Sequence, residues 1–295
     1  VATIVVIGES GQLAQSLRGL PWPPGFALSF HGRRSFQAGF DAELVGRLLQ
    51  AEAAHAVLNA AAYTAVDRAE SEPQAASALN AHLPRVLAAA CGALDLPLVH
   101  ISTDYVFDGR KGAPYVETDV PNPLSVYGRT KLEGDRNLDL SGLRWWAILR
   151  ASWVVSEIGE TFIVKVLRRA RAGEALRIVD DQHGCPTAAS ELARAMQAVA
   201  LRLLDRDHAA RGLFNYCGAS EMSWHGLAEK TLLTAEKIGL ARPPLQAIKT
   251  AELNAPAQRP AYSVLSCARI AQACGLTTTQ IEDDLDRMVR SILAR

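Results

Sequence analysis

Along the first half of the chain, short runs of β-branched and aliphatic residues alternate with longer stretches whose apolar positions recur every three or four residues. The runs "TIVVIG" (3–8), "FALSFH" (26–31), "HAVLNAA" (55–61), "LPLVHIST" (96–103) and "RWWAILRAS" (144–152) are nearly continuous. Runs of that kind predict strands buried on both faces. Between them, "GQLAQSLRGL" (11–20), "AELVGRLLQAEA" (42–53), "AASALNAHLPRVLAAACGALD" (75–95) and the stretch around 125–135 predict helices. The prolines of "PWPPG" end the first of these. Alternation of this sort implies a parallel sheet covered on both faces, and right-handed crossovers make it doubly wound. The fold class is therefore α/β. After about residue 153 the rhythm loosens, with helices near 160–172, 188–204, 223–240 and 278–294 and a strand at "LFNYCG" (213–218). We expect a sheet domain over 1–153 and a smaller lobe over 154–295, with elements of about 188–216 returning to the sheet.

Charge and cysteine usage narrow the class. Lys plus Arg and Asp plus Glu both number 31, so no basic excess points to nucleic acid or an anionic membrane. Cys91, Cys185, Cys217, Cys267 and Cys274 form no CxxC or Cys/His metal pattern, which suits reduced thiols in a cytoplasmic protein. The opening run "VATIVVIG" is too short to span a bilayer and has no basic flank; it reads as a buried strand.

The first strand-to-helix junction, "VVIGESGQLAQSL", sets Gly8, Gly11 and Ala14 as G-x-x-G-x-x-A. Small residues there allow a tight turn, and the N–H groups opening the helix can meet a dinucleotide pyrophosphate. A plain turn is the alternative, but the position at the first junction favours a nucleotide. The second strand ends in "SFHGRRSF", with no carboxylate at its tip and Arg33 and Arg34 just beyond, which favours NADPH over NADH.

The fourth strand ends in "VHISTDYVFDG", delivering Ser102, Thr103 and Asp104 to the sheet's C-terminal edge, where ligands bind in open α/β sheets. The next helix, "SVYGRTKLEGD", puts Tyr127 four residues before Lys131 and so on one face. Such a pair could be a chance one on a solvated helix. Beside a dinucleotide turn and a strand-end hydroxyl, it reads instead as a phenol acid with a cation lowering its pKa.

These motifs resemble the extended short-chain dehydrogenase/reductases, and within them the dTDP-4-dehydrorhamnose reductases. The likeness rests on "GESGQLAQSL", "NAAAYTAVDRAESEP", "STDYVFDG", "YGRTKLEGD", "LRASWVV", "DDQHGCPTAASELA" and "RPAYSVLSCARI", which cover nearly the whole chain. The resemblance implies reduction of a dTDP-sugar C4 ketone by NADPH, with NADH as the other candidate. It implies that Gly8, Ser10, Gly11, Gln12 and Leu13 line the cofactor pyrophosphate, and that Ala62, Tyr63 and Thr64 pass along the dinucleotide. Thr103 would hydrogen-bond the C4 carbonyl, with Asp104 beside it. Tyr127 would supply the proton, and Lys131 would hold the nicotinamide ribose. Trp153 and Arg259 would contact the substrate, the latter at its diphosphate.

Departures limit what is carried over. His31 stands where some members have an acid, and Gly39 precedes Phe40 where an Asp is common near the adenine. Some members bind magnesium through glutamates at a dimer interface; Glu191 matches one, but Ser16 occupies the first-helix position. A hard cation wants charged oxygens, so no metal site is expected, and monomer or homodimer stays open. Two other readings are a nucleotide-sugar epimerase or related 4-ketoreductase on the same fold, and a non-catalytic regulatory subunit of the methionine adenosyltransferase type.

Overall fold

Burial on both faces is visible within the first strand, β1 (Ala2–Ile7): Ile4 and Val6 enter one core, Val5 and Ile7 the other. The computed structural model describes residues 1–36 and 39–295. β1 is joined by β2 (Phe26–His31), β3 (Ala54–Asn59), β4 (Leu98–Thr103), β5 (Trp146–Ala151) and a sixth strand, Gly212–Tyr216. All pair in parallel, in the order Gly212–Tyr216, β5, β4, β3, β1, β2. The chain steps outward from β1 to β2, then returns to build on the other side. That reversal opens a crevice between the C-terminal ends of β1 and β3.

Helices cover the two faces. On one, α1 (Gln12–Gly19) and α8 (Ala189–Leu204) bury Leu13, Leu17, Leu192, Met196, Val199 and Leu203 against Ile4, Val6, Leu58 and Leu149. On the other, α2 (Ala42–Ala51), α5 (Leu83–Ala93) and α6 (Val126–Asp139) pack Val45, Leu49, Leu87 and Leu138 against Val5, Val57, Leu98 and Ile148. Each such fully buried side chain is worth roughly 1.5–3 kcal/mol over leaving it exposed.

Beyond β5, α7 (Phe162–Arg171), α9 (Trp224–Glu236) and α11 (Ile281–Leu293) build a separate apolar cluster around Ile163, Leu227, Leu285 and Met288. Leu176–Val179 and Leu245–Ile248 form a two-stranded parallel sheet beside it. Two short helices, α3 (Val66–Ser71) and α10 (Ala268–Cys274), carry too few apolar turns to stand out in the sequence. No helix among the described residues is long and apolar enough to cross a membrane.

The single helix expected over 75–95 is three pieces: α4 (Pro73–Ser77), a π-helical stretch Ala78–His82, and α5. Pro84 explains the break. It has no N–H for the carbonyl of Asn80, and its ring crowds that oxygen. The widened turn lets α6 dock against it. Asn137 Nδ2 donates to Ala81 O at 3.1 Å, and a Cβ on Gly134 would lie 2.1 Å from Asn80 O. Only glycine admits that approach.

Candidate active site

The glycine turn is shaped by backbone. Gly8 has φ +119° and its N–H donates to His31 O at 2.8 Å; a Cβ there would stand 3.2 Å from the Ala60 and Ala61 backbone. Gly11 is the N-cap of α1, makes no side-chain cap, and has open space where a Cβ would be. The uncapped N–H groups of α1 therefore face the crevice with the positive end of the helix dipole. Gly11, Gln12 and Leu13 line the resulting cleft, while Ser10 is exposed outside it. Gln12 is also a strut to the segment that follows β5: Nε2 donates to Val154 O at 3.1 Å, and Oε1 accepts from Ser156 Oγ at 3.0 Å.

Ala60, Ala61, Ala62 and Thr64 form the next wall. Buried Asn80 fixes its course by accepting from Tyr63 N (2.8 Å) and donating to Tyr63 O (3.1 Å). The Tyr63 side chain turns away from the cleft, its hydroxyl donating to Glu72 Oε2 at 2.5 Å. At the tip of β2, Arg33 and Arg34 are exposed and lie outside the cleft lining. Glu9 lies against Gly32 there, a carboxylate that a reading of β2 alone does not count. His31 is engaged with Ser29 (3.0 Å) and Ser35 (3.3 Å), and Phe40 stacks on His82.

Thr103 and Tyr127 meet at the end of β4. α6 begins at Ser125, whose Oγ accepts from Gly128 N at 3.1 Å, and a Cβ on Gly128 would lie 2.2 Å from Tyr105 O. The first turn of α6 thus rests directly on the Tyr105 backbone. The Tyr127 ring stands edge-on to Tyr105, with centroids 5.8 Å apart, and its hydroxyl is in hydrogen-bond reach of Thr103. Lys131 is 1% exposed; its Nζ donates to Ile101 O at 2.5 Å and lies 3.3 Å from His100 Nε2. The other nitrogen of that ring is 2.9 Å from Asn59 Nδ2.

The electrostatics correct one expectation. Burial pushes the Tyr127 phenol up to about 12, against the Thr103 hydrogen bond, and the Asp104 and Asp135 carboxylates push the same way. Burial likewise pulls Lys131 down to about 8, with Asp135 opposing. Lys131 points its nitrogen at β4, so desolvation outweighs the lowering expected from a lysine one turn away. Burial, then the Lys131 charge, keeps His100 well below its ordinary value and hence neutral.

Asp104 lines the cleft beside Thr103, but its carboxylate is already engaged. Its Oδ1 accepts from Thr103 (3.0 Å), and its Oδ2 accepts from Ser152 (3.0 Å) and Ser263 (2.6 Å). Burial raises this carboxyl to about 6, tempered by those three hydroxyls. It anchors Thr103 rather than presenting a free carboxylate. Arg259 is paired too, donating to Asp67 Oδ2 at 2.7 Å and Ala257 O at 3.1 Å, and it lies outside the cleft lining.

The far wall is aromatic. Trp153 adopts φ +44° and stacks on Trp224 with centroids 3.6 Å and planes 7° apart; Phe162 flanks the pair. A Cβ on Gly184 would be 2.5 Å from the Trp153 ring, so glycine makes room for it. Trp224 and Phe162 line the cleft but were not singled out in the sequence. Their only local signal is an aromatic opening a helix after a Ser or Thr cap, Ser223 and Thr161 respectively. Asn80, Ser152 and Ser263 were likewise passed over, because their partners lie far away in the chain.

Beneath α6 runs a polar seam. Ser102, Arg150 and Asn215 are in register across three strands, and Arg150 Nε donates to Asp135 Oδ2 at 3.1 Å. Glu191, the residue considered for magnesium, pairs with Arg194 and accepts from Tyr216 OH at 3.3 Å. Among the described residues no group of three or more His, Cys, Asp or Glu is arranged to hold a metal.

The cleft holds about 430 Å³ and brings Thr103, Tyr127 and Lys131 together with Gly11–Leu13 in one lining. Comparison with known proteins identifies the family. The model of the RmlD substrate binding domain family matches residues 2–294. A dTDP-4-dehydrorhamnose reductase of Sinorhizobium fredii is 38% identical over 98% of this chain and 97% of its own length. A dTDP-4-dehydrorhamnose reductase from Bacillus anthracis, solved in complex with NADP, superposes with TM-score 0.89 at 27% identity, over 97% of this chain and 98% of that one. UDP-glucose 4-epimerase from Thermotoga maritima shares the fold alone, at TM-score 0.80 and 18% identity, over 99% of both chains. By the family model and by full-length identity alike, the chain belongs to the dTDP-4-dehydrorhamnose reductases.

Proposed function

We propose that the chain reduces the C4 ketone of dTDP-4-dehydro-β-L-rhamnose with NADPH, giving dTDP-β-L-rhamnose and NADP⁺. The observation that carries this reading is the convergence of Thr103, Tyr127 and Lys131 beside the uncapped start of α1 in one cleft. The turn suits a dinucleotide: Gly8 lets the backbone bend close to β3, and Gly11 leaves open space where phosphates approach the N–H groups. Arg33 and Arg34, exposed just past the tip of β2, are the residues that would meet a ribose 2′-phosphate. When bound, a reduced nicotinamide supplies the hydride.

This chain's residues supply the rest. The Thr103 hydroxyl turns its single proton from Asp104 to the ketone oxygen, and the Tyr127 phenol donates to the same oxygen as charge builds on it. A phenol held near 12 stays protonated across the neutral range and so arrives as an acid. Lys131, one turn along the same face, keeps its proton below about 8 and favours the phenolate left behind. Trp153 and Trp224 offer the apolar face on which a pyranose ring or thymine can lie. The reading places the protein in the cytoplasm, as a monomer or homodimer.

The test is loss of NADPH absorbance with dTDP-4-dehydrorhamnose, made in situ by 3,5-epimerisation of dTDP-4-dehydro-6-deoxyglucose. We expect decay that requires the epimerase and yields a rhamnose product, faster with NADPH than with NADH. Decay without the epimerase would reassign the substrate to the unepimerised sugar. Tight nucleotide binding with no decay would overturn the enzymatic reading.

A further inference from the structure

The strand Gly212–Tyr216 runs directly into Cys217, and the segment leading to α10 ends at Cys267. These residues are 50 apart in sequence, yet their Sγ atoms lie 3.7 Å from each other. The Cys217 N–H donates to Cys267 Sγ at 3.3 Å, and the Cys217 thiol faces Leu265 O at 3.5 Å. Cys267 is half-buried and Cys217 fully buried. The two thiols are therefore unequal: one is reachable with a donor aimed at its sulfur, and the other waits behind it.

We propose that Cys217 and Cys267 are a reversible oxidation site that closes into a disulfide when the protein meets a peroxide. The bond needs an S–S distance of about 2.05 Å, so the sulfurs must approach by less than the width of one atom. Cys267 is the attacking group. The Cys217 N–H and thiol hold it below its ordinary value, whereas Cys217 is pushed well above by its Cys185 and Cys267 neighbours and by burial. The Cys267 thiolate attacks a peroxide oxygen; the O–O bond breaks, and the departing oxygen takes a proton, leaving a sulfenic acid on Cys267. The Cys217 sulfur then attacks that sulfur. An S–S bond forms, the S–O bond breaks, and water leaves with the Cys217 proton. Two thiols are oxidised as the peroxide is reduced.

The bond would staple the edge strand to the segment that delivers Ser263 to Asp104. Neither cysteine lines the cleft, so the reduced Cys217→Ser and Cys267→Ser variants keep the basal activity. Full-length protein is treated with a small excess of hydrogen peroxide and read by intact mass and by peptide mapping. The expected result is loss of two hydrogens, one cross-linked peptide joining positions 217 and 267, and a rise in Tm that dithiothreitol reverses. Cys217→Ser should instead leave Cys267 as a sulfenic acid that dimedone traps. Oxidation of Cys267 to sulfinic or sulfonic acid in the wild-type protein without a cross-link would overturn the proposal. So would a cross-link of Cys217 to Cys185. Peptide mapping of the wild-type chain decides this even if a variant fails to fold.

Discussion

The two walls of the cleft are made of different material. One wall, Gly11–Leu13 with Ala60–Ala62 and Thr64, is mostly backbone and small side chains at the ends of two strands that are neighbours in the sheet, β1 and β3. The other, Trp153, Phe162 and Trp224, is three large rings from elements up to 71 residues apart, held by stacking. A wall of backbone must be written locally, since a glycine or alanine is needed at each close approach. A wall of side chains needs only that rings meet in space. Between them stands α6, which serves both by carrying Tyr127 and Lys131.

The comparison is broken most severely at the group both walls serve. Tyr127→Phe should lower kcat by about 10²–10⁴-fold, as expected for losing a general acid, while NADPH binding followed by fluorescence stays unchanged. Turnover close to wild type would remove Tyr127 from the proton transfer. The next largest effect lies on the backbone side. In Gly134→Ala the new methyl meets Asn80 O, α6 must shift, and both Tyr127 and the Asn80 clamp on Tyr63 go with it. A displacement of this sort should cost on the order of 10² in kcat. Cofactor and sugar affinity should both weaken, in contrast to the Tyr127 variant.

The aromatic wall should respond selectively. Trp224→Ala is expected to raise KM for the sugar nucleotide about 10-fold, equivalent to roughly 1.4 kcal/mol, and to leave the Kd for NADPH unchanged. Equal losses for both ligands would mean that the ring props up the whole cleft. The remaining effect is one of pH and falls on stability, not on turnover. Asp104 has a folded pKa of about 6 against an ordinary 3.8. Between those values the folded state keeps a proton that the unfolded state has lost. The wild-type protein therefore loses stability relative to Asp104→Asn as pH rises from about 4 to 6, by at most about 3 kcal/mol. Parallel denaturant titrations of the two proteins across that window would measure the difference.

The parts of the molecule legible in the sequence are those dictated by short-range rules. Both-face burial makes β1, β3, β4 and β5 continuous apolar runs, and the sheet follows from their alternation with helices. The spacing of Tyr127 and Lys131 is one turn of one helix. What could not be read depended on distance or on solvent. Pro84 hints at a break in its helix, but nothing nearby says that the freed Asn80 carbonyl will receive a glycine from α6. The charges of Asp67 and Arg259 are evident, and their cancelling each other at the cleft rim is not. A lysine beside a tyrosine suggests a lowered phenol pKa; how dry the site is decides the opposite, and dryness belongs to the folded shape.

Two indoles stacked 3.6 Å apart at the edge of a binding cleft have an optical consequence as well. Their transitions couple, so the Trp153–Trp224 pair should give a paired band in the near-ultraviolet circular dichroism that isolated tryptophans lack. A ring laid against them, or a small rotation of α9, would change that band without any label. The protein carries its own spectroscopic gauge of what enters the far side of the cleft.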